Sequence, residues 1–336
     1  MKISSFFTGA GGLDLGFKRT GFEIIYANEF DKKIWPTFEA NFPKTHLDKR
    51  SITDLEVEDI PDCDGIIGGP HCQSWSEAGA LRGIDDERGQ LFFDFIRILK
   101  GKRPLFFLAE NVSGMLAQRN AKALERIIEL FEKSGYEVSY QLMNASDFGV
   151  PQDRKRVIFV GYRKDLGKKF KHPAPTTMFE EQQKTLRDVI DDLKETAIPA
   201  KHKNYSNYDE CAVPNHEYMI GGFSTIFMSR NRVRPWDKPS FTIQAGGRHA
   251  PIHPQAPEMV TVGKNKKIFK LGQKNQHGKN LVYRRLSVRE CARIQTFPDD
   301  FIFKYDNLSD GYKMIGNAVA VDFAEILAKQ IMQDLS

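Results

Sequence analysis

The chain has 336 residues, 40% hydrophobic and 28% charged, enough for one large domain or two modest ones and too long for a disulfide-stapled scaffold. No apolar run approaches the ~18 residues that cross a bilayer, and Met1-Lys2-Ile3 leads straight into a strand-like segment, so a cytoplasmic protein with reduced thiols at Cys63, Cys72, Cys211 and Cys291 is expected. The net charge of +5 hides an asymmetry: residues 219–289 hold fourteen Lys or Arg against two acids, +12 there and −7 elsewhere, which favours a polyanionic partner.

Strand-like runs at residues 3–7, 23–27, 65–67, 105–109, 137–142 and 157–162 alternate with helical periods at 13–20, 32–42, 91–99 and 121–134. That alternation predicts a doubly wound α/β sheet with a ligand site at the carboxyl ends of its strands. Beyond Arg163 prolines and Gly-Gly pairs interrupt the chain, predicting a second, irregular domain over residues 164–286. Helical texture returns at 288–301 and 311–331, so residues 287–336 are expected to pack back on a first domain made of residues 1–163. There are no internal repeats.

Three loops after predicted strands carry candidate chemistry. Phe7-Thr8-Gly9-Ala10-Gly11-Gly12-Leu13-Asp14 is a glycine turn opening a helix. It departs from the dinucleotide fingerprint because Asp14 stands where a pyrophosphate wants amides. Glu29, twenty residues after Gly9, is placed to accept from ribose hydroxyls, and Phe30 can lie against an adenine ring. Together they favour an adenosine ligand without a pyrophosphate, such as S-adenosylmethionine. Gly68-Gly69-Pro70-His71-Cys72-Gln73 holds a thiol at the edge of the sheet, where a nearby cation or oriented amides can favour the nucleophilic thiolate. Five apolar residues then run into Glu110-Asn111-Val112, which puts a carboxyl group able to donate a proton at the same edge. Gln152-Asp153-Arg154-Lys155-Arg156 adds guanidinium donors for a base carbonyl or a phosphate. The eight histidines show no metal-ligand spacing, and no metal is expected.

These motifs, followed by Arg284-Arg285-Leu286, Gln295-Thr296-Phe297-Pro298 and Gly316-Asn317-Ala318-Val319 in the same order, resemble the cytosine-5 DNA methyltransferase family over nearly the whole chain. The resemblance implies an S-adenosylmethionine-dependent methyltransferase domain of Rossmann-like, doubly wound α/β fold with a smaller target-recognition domain. It implies cofactor contacts from Phe7, Gly9, Gly11, Gly12, Leu13, Glu29, Phe30, Ser51, Ile52, Pro70, Asn317 and Val319. Cys72 would add to C6 of a flipped cytosine, Glu110 would hydrogen-bond or protonate N3, and Arg154, with Arg156 nearby, would hold O2. Within the family, residues 225–234 and 241–248 look like the recognition region of enzymes that modify the inner cytosine of GGCC in restriction–modification. Arg230, Arg232 and Arg248 would read bases, Arg234 would meet a base or phosphate, and Gln73 and Ser76 would touch the duplex. The lysines at 264–279 would meet phosphate or solvent.

Three positions depart from the family pattern: His71 replaces a second proline, Ser51 an acidic residue and Ala320 a proline. None is a reacting group. The implied protein is a monomer on double-stranded DNA, nucleoid-associated and without membrane or metal partners. Competing readings are an RNA (tRNA) cytosine-5 methyltransferase and a catalytically impaired DNA-binding homologue. A dehydrogenase is disfavoured by Asp14 and by the lack of a hydride-transfer constellation.

Overall fold

The computed structural model describes residues 1–70, 87–177, 179–223, 226–270, 272 and 283–336. In chain order they form β1 (Lys2–Phe6), α1 (Gly12–Arg19), β2 (Glu23–Asn28), α2 (Trp35–Asn41), β3 (His46–Asp48), β4 (Gly65–Gly68), α3 (Glu87–Lys102), β5 (Phe106–Val112), α4 (Ala121–Lys133), β6 (Tyr136–Asn144) and β7 (Lys155–Arg163). There follow α5 (Leu186–Ile190), β8 (Ile198–Pro199), β9 (Glu217–Tyr218), β10 (Met259–Gly263), β11 (Lys266–Phe269), α6 (Val288–Ile294), α7 (Leu308–Asn317) and α8 (Val321–Leu335), with 3₁₀ turns between.

Two compact units result. The first comprises Met1–Phe148, Lys155–Thr176 and Val319–Ser336; the second comprises Gly149–Arg154 and Thr177–Ala318. These boundaries differ from the compositional ones at residues 163 and 287. Residues 149–154 bond with a later segment of unit two, and only residues 319–336 of the closing stretch belong to unit one.

Unit one holds a seven-stranded sheet of order β3-β2-β1-β4-β5-β7-β6, parallel except for β7, which runs antiparallel to β5 and β6. The expected doubly wound α/β architecture is therefore present. Successive strand residues point to opposite faces, and Phe106 and Phe107 show it. Phe106 packs with Phe17 and Phe22, while Phe107 stacks on Phe131 with ring centroids 4.3 Å apart. Strand β3 was not foreseen, since His46-Leu47-Asp48 is too short and polar to show a period.

The pairing aligns the last residues of β2, β1 and β4 with Ala109 of β5, which runs on to Val112. Asn28, Phe6, Gly68 and Ala109 are register partners across β2, β1, β4 and β5. The residues that follow them are Glu29, Phe7, Gly69 and Glu110. Chain order reverses between β1 and β4, the position at which an open α/β sheet forms its ligand crevice.

Among its described residues unit two has only two-stranded ladders, β8–β9 and β10–β11, and its irregular segments are held by buried arginines. Arg285 donates to the carbonyls of Met219, Gly221 and Gly222, and Arg289 to those of Pro214, Pro298 and Phe301. Glu290, fully buried, caps α6 and receives both Nη atoms of Arg284 at 2.7 Å. Burial alone would raise this carboxyl, but the Arg284 bonds and charge outweigh it and hold Glu290 down at about 2. Burial also pushes His253, 3.5 Å from Glu290, down to about 4. Three of the fourteen basic residues of the 219–289 segment, Arg284, Arg285 and Arg289, are thus spent on the interior. The expected helical stretch over 311–331 is two helices, because Ala318 and Ala320 are extended (ψ 150° and 134°).

Candidate active site and recognition surface

The loop after β1 is built from left-handed backbone. Phe7, Gly9 and Gly11 have φ of 54°, 56° and 89°, and a Cβ on Gly11 would lie 2.4 Å from the Phe42 ring, so this position demands glycine. A Cβ on Gly9 would meet nothing within 4 Å, which leaves the main chain open to a ligand. Glu29 accepts from the Gly9 N–H at 3.0 Å and the Asp31 N–H at 2.8 Å. Phe30 is 71% exposed beside it, and the Trp35 indole, which sequence reasoning missed, donates to the Glu29 carbonyl at 2.8 Å.

Asp14 is not where the fingerprint comparison puts it. It is fully buried and accepts from Thr8 Oγ1 at 2.6 Å, bracing the loop from below instead of meeting a ligand. Burial raises its carboxyl and the Thr8 hydrogen bond offsets part of this, leaving it pushed up to about 6.

Other predicted cofactor positions divide by accessibility. The Ser51 hydroxyl, 2.7 Å from that of Thr53, caps the turn Ile52–Asp54. Ile52 is 2% exposed in the core, with its carbonyl accepting from Arg97, so it has no free side chain to offer. Gly12, Leu13, Pro70 and Val319 are buried, whereas Asn317, in unit two, is exposed.

At the ends of β4 and β5 the described residues stop two short of the thiol. Cys72, with His71, Gln73 and Ser76, lies outside them. Pro70 is fixed nonetheless: its carbonyl accepts from the buried Asn111 side chain at 3.1 Å. Glu110, next to Asn111, has its carboxylate 3.4 Å from the Cβ position of Gly69. Asn111 is visible in sequence only as Glu110's neighbour; its role as the anchor of the cysteine loop emerges from the strand pairing.

Arg156 and Glu110 lie diagonally across the antiparallel β5–β7 ladder, Arg156 opposite Val112 and Glu110 opposite Ile158. The Arg156 Nε is 2.6 Å from Glu110 Oε1, with both side chains under 15% exposed. Arg154 behaves differently from expectation. It is 2% exposed, and its guanidinium donates to the carbonyls of Ile243, Gly316 and Ala318 at 2.9–3.2 Å. The Arg154 guanidinium is thus committed to three carbonyls within unit two, whereas Arg156 faces Glu110.

In unit two, Arg230 and Arg248 are exposed and, among the described residues, have no ion-pair partner. Ser229 and Arg230, with Ile226 (76% exposed) and Asn265, line a cleft of about 400 Å³. Arg232 is half-buried, donates to the Phe227 carbonyl at 2.7 Å and lies over its ring. Burial and the charge of Arg230 lower its pKa. Arg234 is tied to Asp153 and the Pro239 carbonyl. No group of three or more metal-ligating side chains, and no helix long and apolar enough to cross a membrane, occurs among the described residues.

The open α/β sheet of unit one thus carries a glycine loop after β1, an acidic residue after β2 and a carboxylate within β5. The C-5 cytosine-specific DNA methylase profile matches residues 1–333, and the chain belongs to that family. It is 57% identical to the Type II methyltransferase M.FnuDI of Fusobacterium nucleatum, covering all of this chain and 95% of that one. Identity is 56% to M.NgoPII of Neisseria gonorrhoeae and 55% to M.MthTI of Methanothermobacter thermautotrophicus, each over all of this chain and at least 96% of the relative. Among solved structures, DNMT2 of Spodoptera frugiperda superposes with a TM-score of 0.70 at 18% identity over 98% of this chain and 99% of that one, a likeness of fold. Family and fold imply use of S-adenosylmethionine.

Proposed function

We propose that this chain is the methyltransferase of a Type II restriction–modification system, methylating C5 of a flipped cytosine in duplex DNA, the inner cytosine of GGCC. The observation that carries the reading is the shared sheet edge: Pro70, two residues from Cys72, is anchored by Asn111, and Glu110 beside it meets Arg156 at 2.6 Å. Cys72 adds to C6 of the flipped base, Glu110 hydrogen-bonds or protonates N3, and C5 gains the electron density to accept a methyl group. Bound S-adenosylmethionine supplies that methyl group as an electrophile. Loss of the C5 proton and expulsion of Cys72 restore aromaticity and free enzyme. Arg156 holds Glu110 and is the donor for cytosine O2, while Arg154 fixes the chain ahead of it.

The Gly9–Gly12 main chain, the Glu29 carboxylate and the Phe30 ring suit the cofactor's adenosine, and the open space at Gly9 supports that fit. Exposed Arg230 and Arg248 support major-groove guanine readout, with Arg232 as a third reader that must leave the Phe227 carbonyl. The protein acts as a cytoplasmic monomer on DNA.

The test is methyl transfer to a GGCC duplex, with tRNA as comparison and bisulfite sequencing to locate the product. A 5-fluorocytosine duplex should trap a covalent adduct in the wild type and none in Cys72→Ser, whose turnover should fall at least about a thousandfold. An adduct that persists without Cys72 would sink the nucleophile assignment; transfer to tRNA alone would overturn the DNA reading.

A further inference from the structure

Arg234 joins two stretches of unit two. On its own side of the chain it follows Arg230 and Arg232. On the other, its Nη2 pairs with Asp153, its Nε donates to Pro239 O at 2.8 Å, and its guanidinium lies 4.5 Å from the centroid of the Phe241 ring. Residues 151–154 are in turn woven against 240–243. Ser240 N–H donates to Pro151 O at 2.8 Å, Asp153 N–H to Ser240 O at 2.9 Å, and Ile243 N–H to Gln152 Oε1 at 3.0 Å. The Thr242 hydroxyl donates to the Asp153 carbonyl, and Arg154 Nη1 to Ile243 O at 3.2 Å. Past Arg154 the chain enters β7, and Arg156 meets Glu110 at 2.6 Å.

We propose that Arg234 and Asp153 form a positioning pair that ties the seating of the base-reading segment to the geometry of Arg156 and Glu110. The proposal rests on the reading of Arg230, Arg232, Arg156 and Glu110 given above. Neither member touches substrate. With side chains 26% and 43% exposed, a simple ion pair here would add little to stability. What distinguishes it is the fork: one planar guanidinium engages a carboxylate, a carbonyl and an aromatic face together, which fixes orientation as well as distance. A shift of residues 230–234 onto their bases therefore pulls on Asp153, three residues from Arg156. Spatial contiguity suggests this coupling; a double-mutant cycle measures it.

The experiment uses the full chain as wild type, Arg234→Gln, Arg234→Lys, Asp153→Asn and the double Arg234→Gln/Asp153→Asn. The substrate is a duplex carrying the sequence that the wild type methylates, and a duplex with one outer base pair changed. Asp153→Asn is isosteric, and thermal melting checks each fold. Arg234→Gln and Asp153→Asn should each lower kcat at saturating cognate DNA on the order of tenfold, with DNA affinity nearly unchanged. The double variant should be no worse than either single, Arg234→Lys should recover part of the rate, and the kcat ratio of cognate to altered duplex should shrink. The proposal falls if Arg234→Gln weakens binding while kcat holds, which would make Arg234 a DNA contact. It falls equally if Asp153→Asn has no effect, if the single effects multiply, or if kcat drops alike on both duplexes, as a mere brace would give. A wild type that methylates another sequence, or RNA, revises the substrate reading, and the same comparison on that substrate still decides the pair.

Discussion

The two units solve the same problem, satisfying buried main-chain polar groups, in different ways. Unit one does it with ladders: seven paired strands, whose pairing brings Glu29, Phe7, Gly69 and Glu110 to one level of the sheet. Unit two has almost no sheet and does it with side chains, where Arg154, Arg285 and Arg289 each donate to three carbonyls and Glu290 neutralises Arg284. A ladder tolerates loss of most single side chains. A guanidinium fork does not, because its removal strands several carbonyls at once.

The sharpest break in the comparison is chemical. Glu110→Gln keeps the strand and its shape but removes the charge facing Arg156, so methyl transfer should fall by about 10²–10⁴ while melting is little changed; a rate near wild type would remove Glu110 from the reaction. Glu290→Gln attacks unit two where it depends on side chains. Leaving Arg284 buried without its carboxylate should cost about 3–5 kcal/mol in denaturant unfolding, and a loss below about 1 kcal/mol would deny that the pair organises the unit.

Asp14 tests the ladder-built unit at a strongly perturbed carboxyl. A pKa raised from 3.8 to about 6 means that folding favours the protonated form. Its contribution is fully present below pH 3.8 and is lost as pH rises through 6, a change of about 3 kcal/mol. Asp14→Asn keeps an acceptor for Thr8 without the charge, so it should melt higher than wild type at pH 8 with the gap closing near pH 4. A gap constant with pH would refute the assignment. Smallest are the exposed readers: Arg230→Ala and Arg248→Ala should each cost about 1–3 kcal/mol of cognate binding and less on other DNA, measured by competition.

The same contrast governs what the sequence disclosed. Period-two and period-3.6 patterns report ladders and amphipathic helices, so six strands and four helices of unit one were legible to within a few residues; β3 lacked the length to show a period. The placement of the Gly9–Gly12 turn after β1 and of Glu110 beyond an apolar run of β5 was legible, because both follow from the strand pattern. Unit two hid its logic, because burial of a charge leaves no periodic trace. Arg284, Arg285 and Arg289 count in sequence toward the basic segment, and nothing there shows that Arg284 pairs with Glu290 inside the unit or that Arg285 and Arg289 are held by main-chain carbonyls.

The pairing of α1 with α8 has a consequence for how the protein is made. Gly16 leaves room for Ala324, whose Cβ would be 2.5 Å from a Cβ at Gly16, and Arg19 reaches Asp322 at 3.1 Å. The first helix of the chain, the one that opens with the glycine loop, is thus covered by the last. During synthesis its apolar face waits for residues 321–335, roughly 15–60 seconds later at ordinary ribosomal rates. That wall of the fold cannot form on the ribosome before residues 321–335 have been made, and a nascent chain stalled in unit two leaves α1 without its cover.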